Sequence, residues 1–242
     1  MFGFRKKLPQ GIFEGASDVH CHLLPGVDDG FSTMEKSLYA LKKLEEHGIK
    51  KMTLTPHFMK DYPDNDRATI TAKFEAYKAE ASKVCGIELH LAGEYMMDAR
   101  FLEHFKQGFL TLDKDGTHVL CETSYLMYEH GTSDMLYEIM CADYQPVIAH
   151  PERYEYANKD VYFKWIDKRF KFQLNILSLA GAYGSTAVAK SHYLLKEGLY
   201  DYVGSDMHRL STYERFLPEI RLSNKNIERL EQLIENNKKL VG

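Results

Sequence analysis

From Ser17 onward, short apolar runs alternate with longer segments of helical periodicity. "SDVH", "KMTLT", "IELHLAGEY", "THVLCET", "PVIAH", "FQLNI" and "YDYVGSD" read as strands, with helix-like stretches between them. Such alternation calls for parallel strands joined by right-handed crossovers, which close into a barrel or wind an open α/β sheet. In "STMEKSLYALKKLEEHG" the spacing of Leu38, Leu41 and Leu44 predicts the first helix. Ser32 and Glu35 read as its capping box, and Gly48 as its stop. Further helices are predicted over 67–84, 131–142, 159–169 and 185–197. A closing amphipathic helix follows, with Ile227, Leu230, Leu233 and Ile234 inward.

A chain of 242 residues can bury a substantial core, and α/β barrels of this size are routinely one domain. No repeat, low-complexity tract or linker interrupts it, so one domain over 1–242 is expected, with a short N-terminal arm of about residues 1–15. The formal charge of −4 and pI of about 6.3 provide no basic footprint for nucleic acid. Arg5-Lys6-Lys7 reads as a solvated arm. No apolar run approaches the roughly 20 residues needed to span a bilayer. "MFGFRKKLPQGIF" lacks the apolar core of a signal peptide, so no membrane insertion and a cytoplasmic location are expected.

Cys21, Cys85, Cys121 and Cys141 form no CxxC pair and read as free thiols. Cysteine-nucleophile tyrosine phosphatases carry an Arg six positions after the Cys. Here those positions are Val27, Leu91, Met127 and Val147, which excludes that chemistry.

The ends of the strands are richer. They deliver His20 and His22, then His57, Glu94, Glu122, His150 followed by Arg153, and finally Asp206 with His208. Only "FQLNI" ends without such a group, in the polar Asn175. Barrel sites form at the C-terminal mouth from such positions. A single His or Asp there is usually structural. Many carboxylates converging on one face are costly unless cations neutralise them. His-x-His in an extended strand puts both imidazoles on one side, which suits chelation, and sends Cys21 to the other side as core. Imidazole mixed with carboxylate suits Zn, Mn or Fe, and the carboxylate-rich positions tilt the choice toward Mn or Mg.

"DVHCHLLPGVDDG", "TPH", "GEY", "CETSY", "AHPERY" and "GSDMH", in that order from Asp18 to His208, resemble the PHP (polymerase and histidinol phosphatase) superfamily. More narrowly, they resemble its bacterial capsule-type tyrosine phosphatases. The resemblance implies a distorted (β/α)7 TIM-like barrel with three divalent metal ions at its mouth. By that likeness His20, His22, Asp206 and a bridging Glu94 would hold one ion. Glu94, Glu122 and His150 would hold a second, and Asp29, His57 and His208 the third. Of the aspartate pair the pattern favours Asp29 over Asp28 as the ligand, which would leave Asp28 to brace the loop. The chain departs from the pattern near Tyr183, where Ala182 precedes the aromatic residue.

The implied activity is hydrolysis of phosphotyrosine in protein, the partner being a membrane-bound bacterial tyrosine kinase that controls exopolysaccharide or capsule synthesis. Closely spaced metals, Mn foremost, with Fe, Zn or Mg as alternatives, would neutralise phosphoryl charge and lower the pKa of water. Arg153, Arg209 and Asp206 are the expected catalytic groups, the two arginines holding substrate oxygens. The segment "HFMKDYPDNDRATI" borders the mouth as a lid or an ordinary loop, with Tyr62 and Phe58 available to face a substrate ring. Two other readings compete: a small-molecule phosphoesterase of histidinol-phosphate type, and a non-catalytic metal-stabilised binding protein.

Overall fold

In the computed structural model, which describes residues 5–242, every strand candidate of the sequence is a strand. After a short β1 (Lys6–Lys7) come β2 (Ser17–Cys21) and β3 (Lys51–Leu54), the latter continued by β4 (His57–Phe58). Then follow β5 (Glu88–Leu91), continued by β6 (Glu94–Met96), β7 (His118–Glu122), β8 (Gln145–Ala149), β9 (Lys171–Asn175), β10 (Tyr202–Gly204) and β11 (Arg221–Leu222). The helices are α1 (Met34–Glu46), α2 (Arg67–Ala81), α3 (Phe101–Gln107), α4 (Thr132–Cys141), α5 (Lys159–Asp167), α6 (Gly184–Glu197), α7 (Leu210–Phe216) and α8 (Asn224–Val241).

Six strands pair in the order β10-β9-β8-β7-β6-β4 and three in the order β2-β3-β5, and all these pairs are parallel. The two sheets divide at Thr55-Pro56 and Ala92-Gly93, where single backbone bonds carry the pairing across: Thr55 N–H to Cys21 O (2.9 Å), Ala92 N–H to Leu54 O (2.9 Å) and Glu94 N–H to Pro56 O (3.1 Å). On the far side, β2 meets the end of β10. Asp206 N–H donates to His20 O (2.8 Å) and His22 N–H to Met207 O (3.0 Å). The parallel sheet therefore curls until its first and last strands adjoin. Lower down, β2 and β10 do not pair directly, and a buried side chain of α8 bonds to both. Asn237 donates to Ser17 O (2.8 Å) and Val203 O (2.6 Å), and accepts from Val203 N–H (3.2 Å).

Strands covered by helices outside and packed against one another inside are buried on both faces, so they read as continuous apolar runs. β2 is buried throughout, and β7, β8 and β9 at all but their first residue. α8 buries Ile227, Leu230, Leu233 and Ile234 as its periodicity predicts. Each such side chain contributes roughly 1.5–3 kcal/mol when fully buried.

Three local expectations need correction. The cap of α1 is Thr33, whose Oγ1 accepts from Lys36 N–H at 3.4 Å, one residue later than the expected Ser32–Glu35 box. α3 and α7 carry no side-chain cap and lie outside the helices that the periodicity predicts. In the N-terminal arm, residues 1–4 lie outside the described residues. Lys6 and Lys7 are exposed as expected, but their backbone pairs antiparallel with β11. Among the described residues no helix is long and apolar enough to cross a membrane.

Candidate metal centre

The alternation of β2 sends His20 and His22 to one side and Cys21 to the other. Cys21 Sγ lies in the core, 3.4 Å from Thr53 O. Beyond His22 the chain turns through Pro25-Gly26 and folds back, with Gly26 N–H bonded to Phe31 O (2.8 Å) and Phe31 N–H to His22 O (3.2 Å). This fold-back presses Gly30 onto His22: a Cβ there would stand 2.2 Å from His22 O, so only glycine fits. The same fold-back delivers Asp28 and Asp29 to the site.

At its floor, four ligand-type atoms form a compact set. His20 Nε2 lies 3.2 Å from His22 Nε2, 3.2 Å from Glu94 Oε2 and 3.4 Å from Asp206 Oδ1. His22 Nε2 lies 3.3 Å from Glu94 Oε2 and 3.2 Å from Asp206 Oδ1. Ligands about 2.0–2.1 Å from a tetrahedral ion stand about 3.3–3.4 Å apart, so these separations match the edges of a coordination polyhedron. Beside it, His150 Nε2 approaches Glu94 Oε1 (3.0 Å) and Glu122 Oε1 (3.7 Å). His208 Nε2 faces Asp29 Oδ1 at 3.3 Å.

His57 does not sit with Asp29 and His208 alone, as the likeness implied. Its Nε2 is 3.5 Å from Asp29 Oδ1, while its Nδ1 turns inward to Glu94 Oε2 (3.1 Å) and Glu122 Oε2 (3.6 Å). Three overlapping groups result, each with its ligand atoms within 4.8 Å of one another: His20, His22, Glu94 and Asp206; His57, Glu94 and Glu122; His22, Asp29, His57 and His208.

Behind these groups, further side chains and one backbone carbonyl orient the imidazoles. Asp28 Oδ2 accepts from His22 Nδ1 (3.0 Å) and from His57 N–H (3.2 Å), and Asp28 Oδ1 accepts from Gly30 N–H (3.0 Å). Gln173 Oε1 accepts from His20 Nδ1 (2.9 Å), and Asp206 O from His208 Nδ1 (3.0 Å). In each case Nδ1 is given an acceptor, so Nε2 is the atom left to face the centre. Asp28 therefore braces the loop and Asp29 faces the site. Asn175 donates to Asp206 Oδ2 (2.8 Å), and the Tyr125 hydroxyl donates to Glu122 Oε1. His150 and Asp206 both hold left-handed backbone (φ 32° and 49°), which side-chain-bearing residues rarely adopt. Such strain persists where the surroundings over-determine it.

The electrostatics are those of a site short of positive charge. Burial alone pushes the Glu122 carboxyl well up, and the nearby Glu94 adds to the shift. Burial would also raise Glu94 and lower His20, but the pair reverse each other. Glu94 is held well below its usual range, and His20, with Asp206 also beside it, rises to about 9. His57 and His150 fall to about 4, chiefly through burial. Glu94 Oε2, Glu122 Oε2, Asp206 Oδ1 and the Nδ1 atoms of His57 and His150 are buried without a hydrogen-bond partner. Buried carboxylates left so are costly, by several kcal/mol each, until cations neutralise them. The donor set fits divalent ions of hard or borderline character, with no thiolate turned inward.

The arginines differ. Arg153 Nη1 donates to Asp206 Oδ2 at 2.6 Å, and its guanidinium lies over the rings of both Tyr125 and Tyr183. It borders a cavity of about 490 Å³ shared with Asp29, His57, Glu122, His150 and Asp206. Arg209 is exposed on the rim, where it lines a smaller neighbouring cavity with Arg153 and His208. Tyr62 lines the larger cavity, and its ring stacks on His57 at 5.9 Å. Phe58 does not face it: the ring is buried against Tyr95. The loop after β4 is pinned rather than free, with Asn65 donating to Val27 O (3.0 Å) and His57 O (2.7 Å), and Lys60 N–H bonded to Asp98 (2.7 Å).

Residues 16–238 match the model of the family described as capsular polysaccharide synthesis, CpsB/CapC. The chain belongs to this family. It is 28% identical over 204 residues to the tyrosine-protein phosphatase YwqE of Bacillus subtilis, covering 81% of this chain and 78% of that one. It is 28% identical over 222 residues to the tyrosine-protein phosphatase CpsB of Streptococcus agalactiae, covering 84% and 86%. A crystal structure from work on YwqE of B. subtilis and CpsB of Streptococcus pneumoniae, described as metal-dependent tyrosine phosphatases, superposes with a TM-score of 0.78 at 24% identity. It covers 93% of this chain and 94% of that one. The chain thus shares the curled parallel α/β architecture of that structure, as a CpsB/CapC-family member should.

Gln173, Tyr125 and Tyr183 were not read as functional from the sequence. Gln173 lies inside an apolar strand, where period-two alternation was the only available sign that it faces inward.

Proposed function

We propose that this CpsB/CapC-family chain is a metal-dependent phosphotyrosine-protein phosphatase, built as a single distorted (β/α)7 barrel working in the cytoplasm. One observation carries the reading: imidazole and carboxylate atoms from separate strand ends meet at 3.2–3.4 Å, with buried oxygens left unpartnered. The overlap of the three groups supports three divalent ions, with Mn as the first candidate and Fe, Zn or Mg as alternatives. When bound, such ions neutralise phosphoryl charge and make water acidic enough to attack near neutral pH.

The chain's own residues do the rest. His20, His22, Asp206 and Glu94 hold the floor; His57, Glu122 and His150 one flank; Asp29 and His208 the rim. Arg153, fixed by Asp206, offers its remaining N–H groups to non-bridging phosphoryl oxygens. Arg209 stands far enough out on the rim to meet groups flanking the phosphate. Tyr62 provides a flat neighbour for the substrate's ring. The leaving phenoxide needs little acid help, because a tyrosyl hydroxyl has a pKa of about 10. The partner that fits the family is a membrane-bound bacterial tyrosine kinase of capsule or exopolysaccharide export.

The test is a panel of substrates assayed on protein stripped by chelator and reloaded with Mn. A phosphotyrosine peptide should be hydrolysed only after reloading, and in preference to a phosphoserine peptide and histidinol phosphate. Preference for histidinol phosphate would move the chain to the small-molecule reading. Metal binding without turnover of any of the three would favour a binding protein.

A further inference from the structure

We propose that Tyr125 and Tyr183 form an aromatic clamp that positions Arg153 for the phosphoryl group, so that both tyrosines are positioning residues. The inference rests on the reading of Arg153 as the phosphoryl-holding group. Arg153 leaves a short turn (Pro151–Arg153) directly after His150. Its Cζ lies 4.6 Å from the centre of the Tyr125 ring and 4.1 Å from that of Tyr183. Asp206 Oδ2 takes one of its N–H groups at 2.6 Å. A guanidinium is planar, and two ring faces plus one tied nitrogen leave it little freedom to turn. Its free N–H groups then point in a set direction before substrate arrives, and less freedom is lost on binding.

The two tyrosines hold it in different ways. The Tyr125 hydroxyl donates to Glu122 Oε1, and its ring stacks on His150 at 5.8 Å. This residue therefore links the arginine to two expected metal ligands. Tyr183 contributes mainly its face, from the loop after β9. The clamp stands at the junction of two cavities: Tyr125 and Arg153 line the larger, and Tyr183 and Arg153 line the smaller.

The test is a double-mutant cycle on Mn-loaded protein, read with a phosphotyrosine peptide, with metal content and melting temperature measured on every variant. Tyr183→Leu should lower kcat about tenfold, with a smaller change in KM, and weaken inhibition by inorganic phosphate, while metal content stays at the parent level. Tyr183→Phe, which keeps the ring face, should restore most of the loss. In an Arg153→Ala background, Tyr183→Leu should have no further effect, because nothing remains to be positioned. Equal losses in both backgrounds would overturn the clamp. Parent-like kinetics of Tyr183→Leu beside an impaired Arg153→Ala would also overturn it, leaving the role of Arg153 standing. Parent-like Arg153→Ala would remove the reading on which the clamp rests. Should Tyr183→Leu fail to fold, the cycle is run with Tyr183→Ser. Tyr125→Phe separates that residue's hydroxyl from its ring: metal content should fall while the cation–ring contact stays.

Discussion

Asp28→Asn tests how far the centre depends on groups that do not themselves face it. Burial would raise the Asp28 carboxyl, but His22 and His57 hold it below its usual range, so it is ionised and accepts three hydrogen bonds. Asparagine keeps the shape and one oxygen. If that oxygen stays on Gly30 N–H, the new amide faces two N–H donors, those of His22 Nδ1 and His57. His22 can then relieve the clash only by moving its proton to Nε2, the atom 3.3 Å from Glu94 and 3.2 Å from Asp206. If the amide flips, Gly30 N–H is left unpaired instead. Either way at least one buried donor loses its acceptor, at about 1–3 kcal/mol. Loss of a carboxylate behind a metal-bound histidine typically costs 10–100-fold in metal affinity, roughly 1.4–2.8 kcal/mol. Calorimetric titration of metal-stripped protein with Mn should show that loss, with the melting temperature confirming the fold. Asp29→Asn, which removes a group proposed to face the site itself, should cost more Mn affinity than Asp28→Asn. A folded Asp28→Asn that binds Mn as tightly as the parent would refute the argument that Asp28 orients His22.

Other outcomes follow from the same geometry. Replacing Cys21, Cys85, Cys121 and Cys141 singly by Ser should leave most turnover, since the two buried thiols lie in the core and none lines the cavity; loss in all four would argue for thiol chemistry. In the metal-free protein His20 is held protonated up to about 9, because Glu94 and Asp206 outweigh the opposing effect of burial. An ion can bind Nε2 only after that proton leaves, so apparent Mn affinity should rise with pH until it levels off near 9, and a flat profile below that would contradict this. Asn237→Leu should leave Ser17 O, Val203 O and Val203 N–H unpaired, at roughly 1–3 kcal/mol each. Differential scanning calorimetry should show a drop of about 2–4 °C per kcal/mol, and an unchanged melting temperature would show that β2 and β10 hold together without it.

Much of this arrangement was legible because strand ends and chemistry coincide. The apolar runs mark buried parallel strands, and the residue after each run lies at the mouth. Reading His20, His57, Glu94, Glu122, His150 and Asp206 in sequence therefore amounts to reading around a ring. The position of α1's cap was less legible, because Ser32 and Thr33 are both good caps and only the backbone decides between them. Of the two breaks in the sheet, Ala92-Gly93 is hidden inside a segment that reads as a single strand, and Thr55-Pro56 falls at the end of another.

The second layer was least legible, and for a physical reason. A metal ligand is confined to a few residue types, so its position stands out. A group that orients it needs only one donor or acceptor at the right distance, and many residue types supply that. Gln173 serves His20 from the middle of an apolar strand, the backbone carbonyl of Asp206 serves His208, and a phenol serves Glu122. None forms a pattern in sequence. The left-handed backbone at His150 and Asp206 adds to this, since it turns both residues by means that no side-chain pattern records. Asp206 shows the consequence. Its Oδ1 faces His20 and His22 without a hydrogen bond, while Oδ2 takes Asn175 at 2.8 Å and Arg153 at 2.6 Å. One carboxylate thus ties the floor of the centre to the arginine above it.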